Sequence, residues 1–84
     1  MQLSELPNIG SVMEGQLCGV GICTVEELRA VGAEQAWLRI LAVDTSACMN
    51  RLLALEGAVR GVKKAALSDE RRAELKEFYR KFKK

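Results

Sequence analysis

The chain has 84 residues, of which 49% are hydrophobic and 29% are charged, and its formal net charge is +2. This length allows one small domain, and this composition is typical of a folded globular protein rather than a disordered one. The sequence has no apolar run near the roughly 18 to 20 residues that cross a bilayer, and no secretory leader. We therefore expect a cytoplasmic protein without a membrane partner.

The charge is unevenly distributed along the chain. Four acidic residues and one basic residue give residues 1–30 a net charge of −3, whereas ten basic and four acidic residues give residues 60–84 a net charge of +6. A basic C-terminal segment favours a contact with nucleic acid. The alternative is a solvated helix face, because acidic side chains are interspersed among the basic ones.

The sequence predicts helices almost throughout, separated by glycine or polar breaks. The stretch LPNIG (6–10) predicts a tight turn. It is followed by a first helix with Val12, Met13 and Leu17 on its inward face. The glycines of GVGI (19–22) predict the end of this helix.

Two further helices follow. Thr24, with Glu27 three residues later, predicts an N-terminal capping box for the second helix, and Gly32 predicts its end. We expect Trp37, the only tryptophan, to anchor the third helix in the core. The predicted buried side chains of the third helix are Ala36, Trp37, Ile40 and Leu41.

A broad apolar face predicts that the fourth helix is the central one. Asp44 and Thr45 are its predicted N-terminal caps. Small residues along one edge, including Gly57, would let another helix approach its backbone closely. The broad face comprises Cys48, Met49, Leu52, Leu53, Leu55 and Val59, and the small-residue edge comprises Ala54, Gly57, Ala58 and Gly61.

The last helix carries charges that complement its dipole. Ser68 is its predicted cap, and Asp69 and Glu70 lie in its first turn. The sequence therefore predicts an all-α fold, a compact bundle of five or six short helices. The predicted buried stripe of the last helix is Leu75, Phe78, Tyr79 and Phe82, and its basic end is Arg80, Lys81, Lys83 and Lys84.

The sequence contains Cys18, Cys23 and Cys48 but no histidine. An odd number of cysteines without CxxC spacing argues against a disulfide framework and against a structural zinc site. We expect free thiols packed in the core, with a redox or metal role as the alternative. Cys18 and Cys23 lie at a helix end and its exit turn, where they need not meet.

The residues that carry enzyme chemistry are missing from the sequence. It has no histidine, no glycine-rich nucleotide loop and no carboxylate pair near a candidate nucleophile. We therefore expect a non-catalytic domain without a cofactor, a metal ion or a small-molecule substrate.

The run from Leu6 to Leu28, LPNIGSVMEGQLCGVGICTVEEL, resembles a helix-hairpin-helix unit, whose usual form begins LPGIG. In such a unit, backbone amides at a helix N-terminus bind one DNA phosphate without reading sequence. The resemblance implies a hairpin unit over about residues 5–31. The positions that match are Leu6, Pro7, Ile9, Gly10, Leu17, Gly21, Ile22, Thr24, Glu27 and Leu28.

Two departures leave a purely structural hairpin as the alternative. Asn8 replaces the first glycine of the motif, and Glu14 replaces a small residue, whereas DNA-binding hairpins normally carry flanking basic residues. The candidate phosphate-binding residues combine the hairpin with the basic segment: Asn8, Ile9, Gly10, Ser11, Lys63, Lys64, Arg71 and Arg72.

Four segments, ELPNIG, VGICTVEELRAVGAEQAWLRI, MNRLLALEGAVRG and LSDERRAELKEFY, make the whole chain similar to the C-terminal domain of the TfoX/Sxy family. These bacterial proteins are associated with the regulation of natural competence. The resemblance implies one domain over residues 1–84, with a helical remainder at 33–84, and a regulatory role in transcription.

Two functional hypotheses follow from the sequence. The first is a regulatory domain that acts mainly through protein–protein contacts, with another protein or with a second copy of itself. The alternative is nonspecific DNA binding through the hairpin amides and the basic C-terminal helix. The two would be distinguished by whether the turn and the basic residues share one surface.

Overall fold

The computed structural model describes residues 2–83 of the chain. These residues form five α-helices and two short 3₁₀ helices, and they contain no strand, which confirms the predicted all-α class. The α-helices are too short or too polar to span a membrane within this range. They are α1 (Ser11–Gly19), α2 (Val25–Val31), α3 (Ala33–Val43), α4 (Met49–Arg60) and α5 (Asp69–Phe82), and the 3₁₀ helices are Leu3–Glu5 and Lys64–Ala66.

Trp37 of α3 lies at the centre of the core, as predicted. Its side chain is fully buried, and its indole N–H donates to the backbone oxygen of Cys48 at 3.2 Å. The ring centroids of Phe78 and Tyr79 on α5 lie 6.2 and 5.5 Å from the indole. Trp37 thus joins α3 to the start of α4 and to the last helix, with its polar N–H satisfied.

Helix α4 is the central helix, and it packs against α2, α3 and α5. The predicted caps were wrong, because α4 begins only at Met49, with Cys48 as its N-cap. Asp44 instead ends α3, where its carboxylate accepts hydrogen bonds from Arg51 Nη1 at 2.8 Å and from the Ser46 amide at 3.0 Å. Local hydrogen bonds of this kind hold aspartate in a turn rather than at a helix start.

The two other predicted caps are present. The Glu27 amide donates to Thr24 Oγ1 at 3.1 Å, and the Arg71 amide donates to Ser68 Oγ at 3.1 Å. The predicted capping box at Thr24 is only half formed, because the Glu27 carboxylate accepts from the amide of Cys23 at 3.2 Å rather than from that of Thr24.

Two predicted inward-facing side chains are exposed. Val12 is 75% exposed, since α1 buries only Leu17, and Phe82 is 49% exposed at the last position of α5. Phe82 still packs on Phe78, with ring centroids 4.8 Å apart. Lys84, predicted as part of the basic helix end, lies outside the described residues.

Candidate functional site

Asn8 fixes the LPNIG turn to the end of α4. Its φ of 71° is a left-handed conformation that asparagine adopts more readily than most residues. Its side-chain amide donates to the Val62 oxygen at 3.0 Å and to the Ala54 oxygen at 3.4 Å, and its side-chain oxygen accepts from the Lys64 amide at 3.2 Å. The asparagine therefore joins the turn to α4 and to the segment that directly follows α4.

Gly57 provides the space into which Asn8 fits. A Cβ atom on Gly57 would lie 2.5 Å from the side-chain nitrogen of Asn8 and 2.6 Å from the Val62 oxygen. Such distances are far inside van der Waals contact. The small-residue edge of α4 does accept a close neighbour, but at Gly57 that neighbour is a turn and a loop rather than the helix that the sequence suggested.

The structure brings one group of the predicted phosphate-binding residues together. Asn8 contacts Lys64, and Arg72 Nη2 donates to the backbone oxygen of Lys64 at 2.8 Å. Lys63 and Lys64 have exposed side chains, whereas that of Arg72 is half-buried. We give the name turn surface to the surface residues of this group together with their neighbours in the chain: Gly10, Ser11, Lys63, Lys64 and Arg72.

The residues at the turn differ in their exposure. The side chain of Ile9 is 5% exposed, and its amide donates to the Leu6 oxygen at 3.4 Å. Gly10 and Ser11 are exposed at the start of α1, where the first amides of a helix have no intrahelical acceptor. Glu14 lies one turn further on, and its carboxylate accepts from the Ser4 amide at 3.0 Å.

Arg71 belongs to a different group of contacts. Its guanidinium donates to both carboxylate oxygens of Glu56 at 3.1 Å, to Glu34 at 3.2 Å and to Glu74 at 3.2 Å. The hydrogen bond with Glu56 raises the pKa of Arg71 further above its usual range. Its donors are engaged by carboxylates of this chain, whereas its neighbour Arg72 donates to the backbone oxygen of Lys64.

Glu56 is the one buried charged residue among those described, and it is 5% exposed. Burial alone would raise the pKa of its carboxyl, but hydrogen bonds from Arg71 and Arg60 outweigh burial and hold that pKa below its ordinary value. The carboxylate is therefore ionised at neutral pH and joins α4 to α5 through an internal ion pair.

The basic side chains of α5 extend the turn surface. Arg72, Lys76 and Arg80 recur every four residues, so they lie along one side of the helix over about 12 Å. Arg80 lies 3.6 Å from Glu77 in an exposed ion pair. Lys83, near the far end, donates to the backbone oxygens of Thr45 and Ala47 at 2.6 and 2.9 Å.

The prediction for two of the cysteines was wrong. Cys18 and Cys23 are exposed, and they form a disulfide across the turn between α1 and α2. The chain reverses at Gly21, whose φ is 90°, and this brings the two Cα atoms to 4.2 Å. The glycines between the cysteines were the signal for this reversal. Cys48 is a half-buried free thiol.

No metal site is evident in the described part of the chain. Within residues 2–83, no three or more histidine, cysteine, aspartate or glutamate side chains are grouped closely enough to hold a metal ion. The polar chemistry of the molecule consists instead of the turn surface, the Glu56–Arg71 pair and the exposed disulfide.

Two solved structures share this fold. A crystal structure of an uncharacterized protein from Listeria monocytogenes, in a triclinic form, superposes with a TM-score of 0.95 at 48% identity, covering 96% of this chain and 92% of that one. A tetragonal crystal form of a Listeria monocytogenes protein of unknown function gives a TM-score of 0.91 at 49% identity, covering 93% of this chain and 96% of that one.

Sequence comparison supplies the family. Protein Sxy of Escherichia coli (strain K12) is 40% identical to this chain over 77 residues, which cover 92% of this chain but only 37% of Sxy. The chain thus spans little more than a third of the length of that relative. The sequence profile of the TfoX C-terminal domain matches residues 1–79. The chain therefore belongs to the TfoX C-terminal domain family.

Proposed function

We propose that this chain is a non-catalytic regulatory domain of bacterial natural competence and that it binds the DNA backbone nonspecifically through the turn surface. Membership of the TfoX C-terminal domain family and the likeness to Sxy support the regulatory role. The observation that carries the DNA contact is the hydrogen bond from the Lys64 amide to Asn8, which places the basic segment against the LPNIG turn.

The chemistry of the turn surface fits phosphate groups. The exposed start of α1 offers backbone amides and the positive end of a helix dipole at Gly10 and Ser11. Lys64 lies against the turn in space, because its amide donates to Asn8, and Arg72 and Lys76 continue the positive charge along α5. Backbone amides and cationic side chains favour contact with the DNA backbone over readout of the base sequence.

Acidic residues near the turn limit the strength of this contact. Glu14 lies in the first turn of α1, and Glu5 lies in the preceding 3₁₀ helix. These carboxylates repel phosphate, so the lysines and arginines must provide most of the attraction. We therefore expect weak binding that depends steeply on salt, as for other contacts based on counterion release.

The test is fluorescence anisotropy of a labelled random-sequence duplex at about 50 mM and about 200 mM salt. The double variant Lys64→Glu/Lys76→Glu should weaken binding to every duplex sequence. A plot of the logarithm of the association constant against the logarithm of the salt concentration has a negative slope, and the magnitude of this slope should decrease by about 2. Both side chains are exposed, so the fold should survive these changes.

The control is Arg29→Glu/Arg39→Glu, which changes the net charge by the same amount but places the new charges on α2 and α3. Both of these arginines are exposed. The control should retain most of the affinity of the wild type. Equal losses of DNA affinity in the two double variants would show that the effect depends on net charge alone. The absence of binding at the lower salt concentration would contradict the proposal.

Contact with another protein, including a second copy, is the second candidate. Among the described residues, three large apolar side chains are exposed, and each is close in sequence to the α3–α4 connection (44–48) or to a residue that contacts it. Val43 precedes that connection, Val12 lies one turn before Gln16, whose amide donates to Asp44 at 3.3 Å, and Phe82 precedes Lys83. Exposed apolar side chains on a small domain suit a protein contact.

Self-association is the form of this contact that can be tested with the chain alone. Sedimentation velocity over about a hundredfold range of concentration should show a larger species at the upper end. The variant Val12→Ser/Val43→Ser should remain monomeric over the same range, because both side chains are about three-quarters exposed and their loss leaves the core intact. A wild-type monomer throughout would exclude a second copy as the partner.

A further inference from the structure

The disulfide between Cys18 and Cys23 lies on the surface of the molecule. Cys18 is in the last turn of α1, and Cys23 immediately precedes Thr24, the N-cap of α2. Both residues are exposed to solvent. The pair therefore has the access that thiol–disulfide exchange requires.

The pairing of the two sulfurs is imposed by the surrounding fold rather than by the disulfide alone. The Ile22 amide donates to the Leu17 oxygen at 2.8 Å, and the Gly21 amide donates to the Cys18 oxygen at 3.1 Å. The side chains of Leu17 and Ile22 are both fully buried. None of these contacts involves a sulfur atom, so we expect them to persist in the reduced form and to keep the two thiols side by side.

We propose that Cys18 and Cys23 form a reversible dithiol–disulfide site whose reaction partner is a low-molecular-weight disulfide. One thiol loses its proton and attacks a sulfur of the small disulfide, which forms a mixed disulfide and releases one small thiolate. The second thiolate of the protein then attacks the mixed disulfide and releases the other. The protein gives up two electrons and two protons, and the small disulfide becomes two thiols.

The structure also specifies what the reaction changes. The oxidised form connects the end of α1 covalently to the residue before α2, across the turn that reverses at Gly21. The reduced form keeps the same turn through hydrogen bonds only. Oxidation should therefore slow the opening of this turn, and the hydrogen exchange of the Gly21 and Ile22 amides should slow with it.

Mass spectrometry of the reduced chain after incubation with glutathione disulfide tests the proposal. The variant Cys48→Ser removes the remaining thiol. This variant should lose two hydrogens, stay monomeric and carry no glutathione, because the second protein thiol displaces the first adduct. A lasting glutathione adduct, a covalent dimer or the absence of any reaction would overturn the proposal.

Two matched variants test whether the second protein thiol displaces the glutathione. In the Cys48→Ser background, Cys18→Ser and Cys23→Ser should each retain one glutathione, because neither has a second thiol to displace it. The equilibrium constant for closing the disulfide should also be about tenfold or more higher in the native chain than in concentrated urea, since a disulfide that fits the fold favours the folded state. Equal constants would show that the fold does not hold the pair together.

Discussion

Arg71 of α5 donates two hydrogen bonds, each of 3.1 Å, to the two carboxylate oxygens of Glu56 on α4. This bidentate geometry is the one that a planar guanidinium makes best with a carboxylate. The carboxylate side chain is only 6% exposed, whereas the arginine is 22% exposed and also reaches Glu34 of α3. A single arginine thus connects the last helix to the two helices that hold the core.

Replacing Arg71 with alanine should destabilise the domain by about 3 kcal/mol, because Glu56 would remain buried with one fewer cation. Urea unfolding followed by Trp37 fluorescence measures this loss. Arg71→Lys should give an intermediate value, since an ammonium cannot make both parallel hydrogen bonds. Arg80→Ala is the control, because its ion pair with Glu77 is exposed and should contribute less than about 1 kcal/mol. Equal losses at the two arginines would contradict this account.

The Glu56 carboxylate should also make stability depend on pH. Its hydrogen bonds to arginine hold its pKa below the ordinary value of 4.5, so its contribution is present above pH 4.5 and is lost as pH falls through the folded-state pKa. We expect Glu56→Gln to be less stable than the wild type at pH 7. The difference in stability between the two proteins should narrow below pH 4.5. Thermal unfolding at several pH values between about 3 and 7 measures it. A gap that stays constant would show that the charge of Glu56 does not contribute.

Several parts of the fold that depend on local chemistry could be predicted from the sequence. The caps at Thr24 and Ser68 and the burial of Trp37 follow from nearby residues, and they were predicted correctly. The contacts of Asn8 with Val62 and Lys64 could not be predicted, because they join positions more than fifty residues apart. The sequence of the LPNIG turn therefore resembled a phosphate-binding site but did not show that the turn packs against α4.

The same limit applies to the candidate site. The basic residues of the last segment are visible in composition, but the sequence does not show that Arg71 turns toward Glu56 while Arg72 turns toward Lys64. Two adjacent residues of a helix point about 100° apart, so their surroundings depend on how the helix packs. The Cys18–Cys23 pair was missed because its closeness depends on the reversal at Gly21.

Gly57→Ala should destabilise the domain by about 2 kcal/mol, although alanine is normally the better helix residue. The reason is the lack of space, since the new methyl group would lie 2.6 Å from the backbone oxygen of Val62. Gly15→Ala in α1 is the matched control. A Cβ atom there has open space around it, so this change should stabilise the domain by about 0.5 to 1 kcal/mol. If Gly57→Ala stabilised the domain as well, the close packing at α4 would be refuted.

Two substitutions of Asn8 should separate the contribution of its side-chain hydrogen bonds from that of its left-handed backbone conformation. Asn8→Gly keeps the left-handed backbone but removes the side-chain hydrogen bonds to Ala54, Val62 and Lys64, so we expect a loss of about 1 to 2 kcal/mol. Asn8→Ala removes the same bonds and also places a Cβ atom at a φ of 71°, which should cost about 1 kcal/mol more. Urea unfolding of the two variants measures both losses. Equal stability of the two would show that the backbone of the turn relaxes, and an Asn8→Gly variant as stable as the wild type would show that the turn is held in place by its buried neighbours Leu6 and Ile9 alone.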